Sequence, residues 1–355
     1  MLGSLHKTSQ KGHITESQML MLPKFAPINI PLHRRLETGA VLIWWYIFMW
    51  IRMTVQLFLV VLLFTRYFWV SFVLMGWAYY DRHTSKRGGR RSDFMRRCRI
   101  WKKMADYFPA HLVKTAELDP NRNFIFGVHP HGIMSVGAFI NFATEATFFS
   151  EVFPGIKPHL CTLSVMYTYP IARDLMMAGG MCDVNKESID YLLGQSGPGN
   201  AAAIVAGGAG ESLEARPDNH VVCLRERKGF IKKALQHGAH LVPCYTFGEN
   251  ELYHQFPNTE GSWTRWIQQH MTKIFGFAAP IFYGRGVFQY SFGFLPYRKE
   301  LNTVVGKPIP VERMDTPTSE AIEELWHTYI KALQELFEEN KVKYGVRGDL
   351  TLQVK

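Results

Sequence analysis

Residues 123–132 read Asn-Phe-Ile-Phe-Gly-Val-His-Pro-His-Gly. Phe124, Ile125, Phe126 and Val128 make an apolar run of strand length. The run stops at His129-Pro130-His131-Gly132. Pro130 fixes its own φ and has no N–H for a ladder, so the strand ends there. Gly132 permits a tight turn or the close approach of a substrate. Helix-like apolar spacing resumes over 133–142. Two imidazoles therefore sit at a strand-to-helix corner, where α/β folds place ligands and catalytic groups. Histidine suits proton transfer near neutral pH. A paired-histidine metal site is the weaker reading, because no nearby cysteine or carboxylate completes a ligand set of known spacing. No metal is expected.

Working outward, residues 203–206 form a second strand that breaks at Gly207-Gly208-Ala209-Gly210-Glu211-Ser212. A carboxylate at Glu211 can orient and stabilise an imidazole that takes up a proton, or cap a helix N-terminus. No Lys-Ser/Thr follows the glycines, so this is not a nucleotide P-loop. Residues 225–233, from Arg225 and Arg227-Lys228-Gly229 to Lys232-Lys233, form a basic turn feeding a helix start. That is either a seat for phosphates or a solvated charged face. Residues 243–250 end another strand in polar groups, with Glu249 among them. Arg173-Asp174 reads as a buried ion pair. A serine-hydrolase elbow and a dinucleotide fingerprint are both absent from the sequence.

The chain has 355 residues, 47% of them hydrophobic and 14% aromatic, and a formal charge of +10. The excess charge is concentrated. Residues 81–103 carry ten Lys/Arg against Asp81 and Asp93. The preceding 41–80 stretch is apolar and aromatic, and 41–63 is long enough to cross a hydrocarbon core of ~30 Å. Basic flanks on both sides place both ends in the cytosol, which favours a hairpin, with the basic stretch lying on anionic headgroups or, as the alternative, forming a solvated charged face. A buried helical core is the alternative. No zinc-finger, homeodomain or RNA-recognition pattern appears, so no nucleic acid is expected.

Five dispersed cysteines without a C-x-x-C pair, and no N-x-[ST] sequon, suit a reducing, cytosol-facing domain. The first 40 residues lack the pattern of a cleaved secretory signal. The organisation expected is a mobile cytosolic tail (1–35), a membrane-embedded helical hairpin (36–80), a basic juxtamembrane segment (81–103) and one α/β domain (104–355). Within it, strands are expected over 160–165, 201–206, 220–224, 241–247 and 302–305. Helices fit 138–149, 186–193, 229–237 and 262–275, and a last amphipathic helix is capped by Thr316.

Taken together, these residues resemble the type-two diacylglycerol acyltransferase family, which includes the monoacylglycerol and wax-alcohol acyltransferases. The likeness runs from about residue 24 to the end. It rests on Tyr107-Phe108-Pro109, His129-Pro130-His131-Gly132 and Gly207-Gly208-Ala209-Gly210-Glu211-Ser212. It continues in the block from Arg227-Lys228-Gly229-Phe230 through 237–243 to Phe247-Gly248-Glu249-Asn250. Residues 114–120, 286–293 and Trp44-Trp45-Tyr46 look more like the monoacylglycerol branch, whereas 143–147 and 189–193 look equally like the diacylglycerol branch.

The resemblance implies a glycerolipid-acyltransferase-like mixed sheet flanked by helices, in an enzyme of the endoplasmic reticulum membrane and lipid droplets. It implies transfer of an acyl group from acyl-CoA, with no cofactor, to monoacylglycerol and to diacylglycerol. A long-chain alcohol acceptor, or a non-catalytic neutral-lipid-binding protein, are the alternatives. The sequence departs from the His-x-x-x-x-Asp dyad of distant glycerolipid acyltransferases: no histidine has Asp five residues later. On this reading His131 is the general base and His129 holds the local geometry or the oxyanion, with Glu211 the acid partner. Backbone N–H groups near Gly132 or Gly207-Gly208 meet the oxyanion. Arg225, Arg227, Lys228, Lys232 and Lys233, with Gly229 opening the helix, seat the CoA phosphates. Homo-oligomerisation is left open.

Overall fold

The computed structural model describes residues 24–257, 261–263, 265–268, 270 and 280–355. The expected helix over 262–275 and most of the expected tail lie largely outside them. The helices used below are α1 (Leu32–Met49), α2 (Ile51–Leu63), α3 (Phe68–Tyr80), α4 (Arg99–Tyr107), α5 (Ala172–Ala178), α6 (Lys186–Gly194), α7 (Gly208–Ser212), α8 (Gly229–His237) and α9 (Ser319–Asn340). The strands are β1 (Ala110–Lys114), β2 (Phe124–His129), β3 (Lys157–Thr162), β4 (Met181–Asp183), β5 (Asn200–Ile204), β6 (Val221–Val222), β7 (His240–Phe247), β8 (His254–Gln255), β9 (Phe282–Tyr283), β10 (Leu301–Val305) and β11 (Gln353–Val354).

Seven strands form one mixed sheet in the order β1-β10-β7-β2-β5-β3-β4. β7, β2, β5, β3 and β4 run parallel, and β10 is antiparallel to β7. All six residues of β2 are buried, as expected of a central strand covered on both faces. Phe124, Phe126 and Val128 join one core with Trp44, Phe139, Phe142 and Phe149. Ile125 joins the other, with Tyr245, Tyr329, Leu333 and Phe337. The period-two alternation of a strand thus feeds two separate cores from one segment.

Several expectations need correction. Residues 41–63 are not one straight span: the helix breaks at Trp50, and α1 and α2 meet at 61°. Among the described residues no single helix is long and apolar enough to cross a membrane, although the bent pair together is, by length and composition. Val41 and Trp44 are fully buried in the domain core, so α1 directs part of its apolar surface inward. Lys24 to Ala26 are tied down rather than trailing free. The Ala26 N–H donates to the Phe288 carbonyl (2.8 Å), and the Tyr290 N–H donates to that of Lys24 (2.7 Å).

The basic segment is not uniformly solvated. Arg96 is fully buried and donates to Glu145 and to the Phe142 carbonyl, both at 2.9 Å. Arg90 bridges Asp81 and Asp174, and Lys86 meets Glu187. Buried Arg173 pairs chiefly with Asp81 (2.7 Å) rather than with Asp174 (3.9 Å). The expected 138–149 helix is broken into a short turn at Val136–Ala138, a wide π-type turn at Phe139–Ala143 and a further turn at Phe149–Val152. α9 is capped by Thr318, whose hydroxyl accepts from the Ala321 N–H, and not by Thr316.

Candidate active site

The parallel register brings three polar corners to one edge of the sheet. β2 lies between β5 and β7, with Gly127 opposite Ile204 on one side and His129 opposite Tyr245 on the other. All three strands end on the same side. β2 runs into His129-Pro130-His131-Gly132, β5 into Gly207-Gly208 and α7, and β7 into Gly248-Glu249. The chain leaves β2 towards β3 on one flank and later crosses to β7 on the other. This is the crevice at the carboxyl ends of parallel strands where open α/β sheets bind ligands.

Two buried carboxylates hold the central corner. Glu211 is 1% exposed. One oxygen accepts the His131 backbone N–H (2.6 Å) and the other the Cys223 N–H (2.9 Å). Glu249, 2% exposed, accepts the N–H groups of Val136 and Gly137, each at 2.8 Å. It thus satisfies the free donors of the turn that follows Gly132. Burial pushes each carboxyl up to about 7, against the opposing pull of its two N–H donors. Glycine is required at two places. Gly132 has φ +58, and a Cβ there would lie 2.6 Å from Glu249 Cγ. A Cβ on Gly207 would overlap the Glu211 carboxylate.

Glu211 therefore orients His131 through its main chain. Among the described residues, no hydrogen bond joins this carboxylate to either imidazole ring. The expectation that it faces a ring is corrected: α7 starts immediately after the β5 corner and folds Glu211 back onto the β2 loop.

The two rings differ. His131 is half-buried. Its Nδ1–H donates to the Gly132 carbonyl (3.0 Å), which leaves the lone pair on Nε2. Burial lowers its pKa, and the Gly132 carbonyl acts in the opposite direction. His129 is fully buried. The Tyr329 hydroxyl of α9 donates to the Gly127 carbonyl (3.2 Å) and so accepts from His129 Nε2–H (3.0 Å). The His129 Nδ1 lone pair has no partner among the described residues. Burial drives the His129 pKa down to about 3, so this ring is neutral. Neither ring lines the larger grooves described below.

The five expected phosphate cations separate into two sets. Lys228 is taken by Glu323 and lies over the Trp326 ring. Lys233 is held by Asp190 (2.6 Å), which His237 also meets. Arg225, Arg227 and Lys232 are exposed, and none has an ion-pair partner among the described residues. Arg227 Nη2 lies 4.0 Å from where a Cβ on Gly208 would stand, at the mouth of the β5 corner. Gly229 opens α8 beside these cations.

Comparison with known proteins shows the family. Residues 60–355 match the family model described as diacylglycerol acyltransferase. The chain belongs to the diacylglycerol acyltransferase family. It is therefore an acyltransferase. It is 48% identical to 2-acylglycerol O-acyltransferase 1 of Bos taurus, over 94% of this chain and 99% of that one. It is 48% identical to the Homo sapiens protein of the same name, over 94% and 100%. It is 46% identical to diacylglycerol O-acyltransferase 2 of Bos taurus, over 91% and 90%. A crystal structure of a 1-acyl-sn-glycerophosphate acyltransferase from Thermotoga maritima aligns with TM-score 0.38 and 9% identity, covering 87% of this chain and 98% of that one.

Sequence reasoning gives no role to two residues of this acyltransferase's corner. Glu249 carried a signal, since it follows a strand and a glycine as Glu211 does. Tyr329 carried none: it lies on the apolar stripe of α9 and reads as packing.

Proposed function

We propose that the chain moves a fatty acyl group from acyl-CoA to the free hydroxyl of a monoacylglycerol, giving diacylglycerol, and also acylates diacylglycerol to triacylglycerol. The observation that carries this reading is the His131 ring: half-buried, with Nδ1–H fixed on Gly132 and Nε2 left to take a proton. The likeness to 2-acylglycerol and diacylglycerol O-acyltransferases supports the substrate class.

In this mechanism Nε2 removes the acceptor hydroxyl proton as the oxygen attacks the thioester carbon. The C–S bond breaks, an ester forms, and the departing CoA thiolate takes the proton back as CoA-SH. A base so placed contributes ~10²–10⁴-fold. Glu211 and Glu249 act as positioning residues that keep the loop in register. The Gly207 N–H receives the oxyanion, whereas that of Gly208 already donates to the Val205 carbonyl (3.2 Å). Arg225, Arg227 and Lys232 meet the CoA phosphates.

The exposed apolar side chains of α2, α3 and the turn between them, among them Met53, Leu57, Phe64, Trp69 and Phe72, support insertion of this helical unit into the endoplasmic reticulum bilayer. Both ends of the unit stay on the cytosolic side. The acceptor then arrives laterally from the lipid.

The test is CoA release by the purified chain in lipid, with monoacylglycerol, diacylglycerol and a long-chain alcohol compared side by side. Turnover with the acylglycerols that His131→Ala abolishes supports the reading. Turnover with the alcohol alone replaces the acceptor, and lipid binding without CoA release overturns catalysis.

A further inference from the structure

A second polar site lies away from the histidine corner. A groove of about 780 Å³ runs between the start of α1 and the 285–298 ribbon. A second cavity of about 400 Å³ shares Arg285, Tyr290 and Arg298 with it and extends to Lys299, His254 and Glu251. Arg285 is the common wall of both, and only 8% of it is exposed. Its Nε–H donates to the Gly286 carbonyl (3.2 Å), and its guanidinium lies 4.2 Å from the centre of the Tyr290 ring. Among the described residues no carboxylate pairs with it. By contrast, Arg298 is already paired with Glu37.

A charge this buried without a counter-ion is costly, and an anion from outside relieves it. Arg34, Arg35 and Lys299 add further cations, while Glu251 is the one carboxylate on the described walls. Ile30, Leu42 and Val287 supply apolar surface to the larger groove, beside Arg34, Arg35 and Thr38. Its rim is apolar and open: Ile28 is 94% exposed and Phe288 81%. An apolar rim of that kind faces lipid more favourably than water.

We infer that this pair of cavities binds a phosphate-headed membrane lipid, with the phosphate on Arg285 and an acyl chain along the groove towards Ile28 and Phe288. A guanidinium fork matches a phosphate monoester through paired N–H···O bonds. The neutral acylglycerols of the proposed reaction offer it no charge, so the site is distinct from the acceptor site.

The experiment uses the full chain purified in detergent. It is titrated with dioctanoyl phosphatidate, dioctanoyl phosphatidylcholine or inorganic phosphate while its melting temperature is read. Phosphatidate should raise the melting temperature at concentrations where the other two do not. Arg285→Met should weaken phosphatidate binding by roughly tenfold or more, and the KM for acyl-CoA should stay unchanged. If Arg285→Met does not fold, Arg285→Lys serves: it keeps the charge, loses the fork, and should weaken binding by a smaller factor. An equal response to inorganic phosphate overturns the lipid assignment. A phosphatidate response that survives both substitutions overturns the site. A raised KM for acyl-CoA without phosphatidate binding would make the cavities a substrate subsite instead, while leaving the acyltransferase reading intact.

Discussion

The His131 backbone N–H and the Glu211 carboxylate meet at 2.6 Å, while the His131 ring turns the other way onto the Gly132 carbonyl. One residue is thus gripped by its main chain and left free at its ring. The grip comes from the loop after β5 and the ring belongs to the loop after β2, so the pair couples two strand ends.

Glu211→Gln should weaken that grip. Both carboxylate oxygens accept N–H groups, and an amide can offer only one acceptor, so a donor faces a donor. A lost buried hydrogen bond of this kind costs about 1–3 kcal/mol. The expected outcome is a lower melting temperature and a lower kcat, with the KM for acyl-CoA little changed. A variant with normal kcat and normal stability would show that the contact positions nothing.

The two histidines should separate by readout. His131→Ala should lower turnover by ~10²–10⁴-fold with little effect on melting, because its ring makes only a local bond. His129→Ala should lower the melting temperature, because its ring fills a closed space beside Tyr329. Turnover by His131→Ala near the wild-type level refutes its assignment as base.

Tyr329→Phe removes the hydroxyl that donates to Gly127 and accepts from His129. The His129 Nε2–H is then buried without a partner and the Gly127 carbonyl loses one donor, at a cost of about 1–3 kcal/mol. Chemical denaturation should show that loss, and kcat should fall because the His129 ring is no longer held in one tautomer.

Stability should depend on pH through the loop anchors. Glu211 and Glu249 have ordinary values of 4.5 and folded values of about 7. The folded state therefore holds protons that the unfolded chain releases, and this contribution is lost as pH rises from 4.5 through 7. His129 acts in the opposite sense: its ordinary value of 6.5 drops to about 3, so its contribution is present above 6.5 and lost as pH falls towards 3. Replacing both glutamates with Gln should remove the decline between pH 4.5 and 7 in unfolding free energy. An unaltered decline would place its origin elsewhere.

The cations should also divide. Arg227→Ala and Lys232→Ala should raise the KM for acyl-CoA. Lys233→Ala should lower stability through the loss of Asp190 and leave that KM unchanged. The same KM increase in all three would mean that the Lys233–Asp190 pair opens when substrate binds.

The residues alone determined a good deal. An apolar strand that stops at His-Pro-His-Gly, and another that breaks at a double glycine before Glu211, mark strand ends because proline and glycine act on their own backbone. The central strands, α8 and the corner that carries the histidines could be read in that way. Tertiary structure decided the rest, because it depends on which strand lies beside which. Only the order β7-β2-β5 brings Glu249 and Glu211 to opposite sides of one loop. It also takes Glu211 to the main chain of His131 and not to its ring. The packing of α9 across β2 turns Tyr329 from a core aromatic into the partner of His129. The break at Trp50 has the same origin: Val41 and Trp44 are as apolar as a membrane span requires, and only the domain core opposite them made them interior.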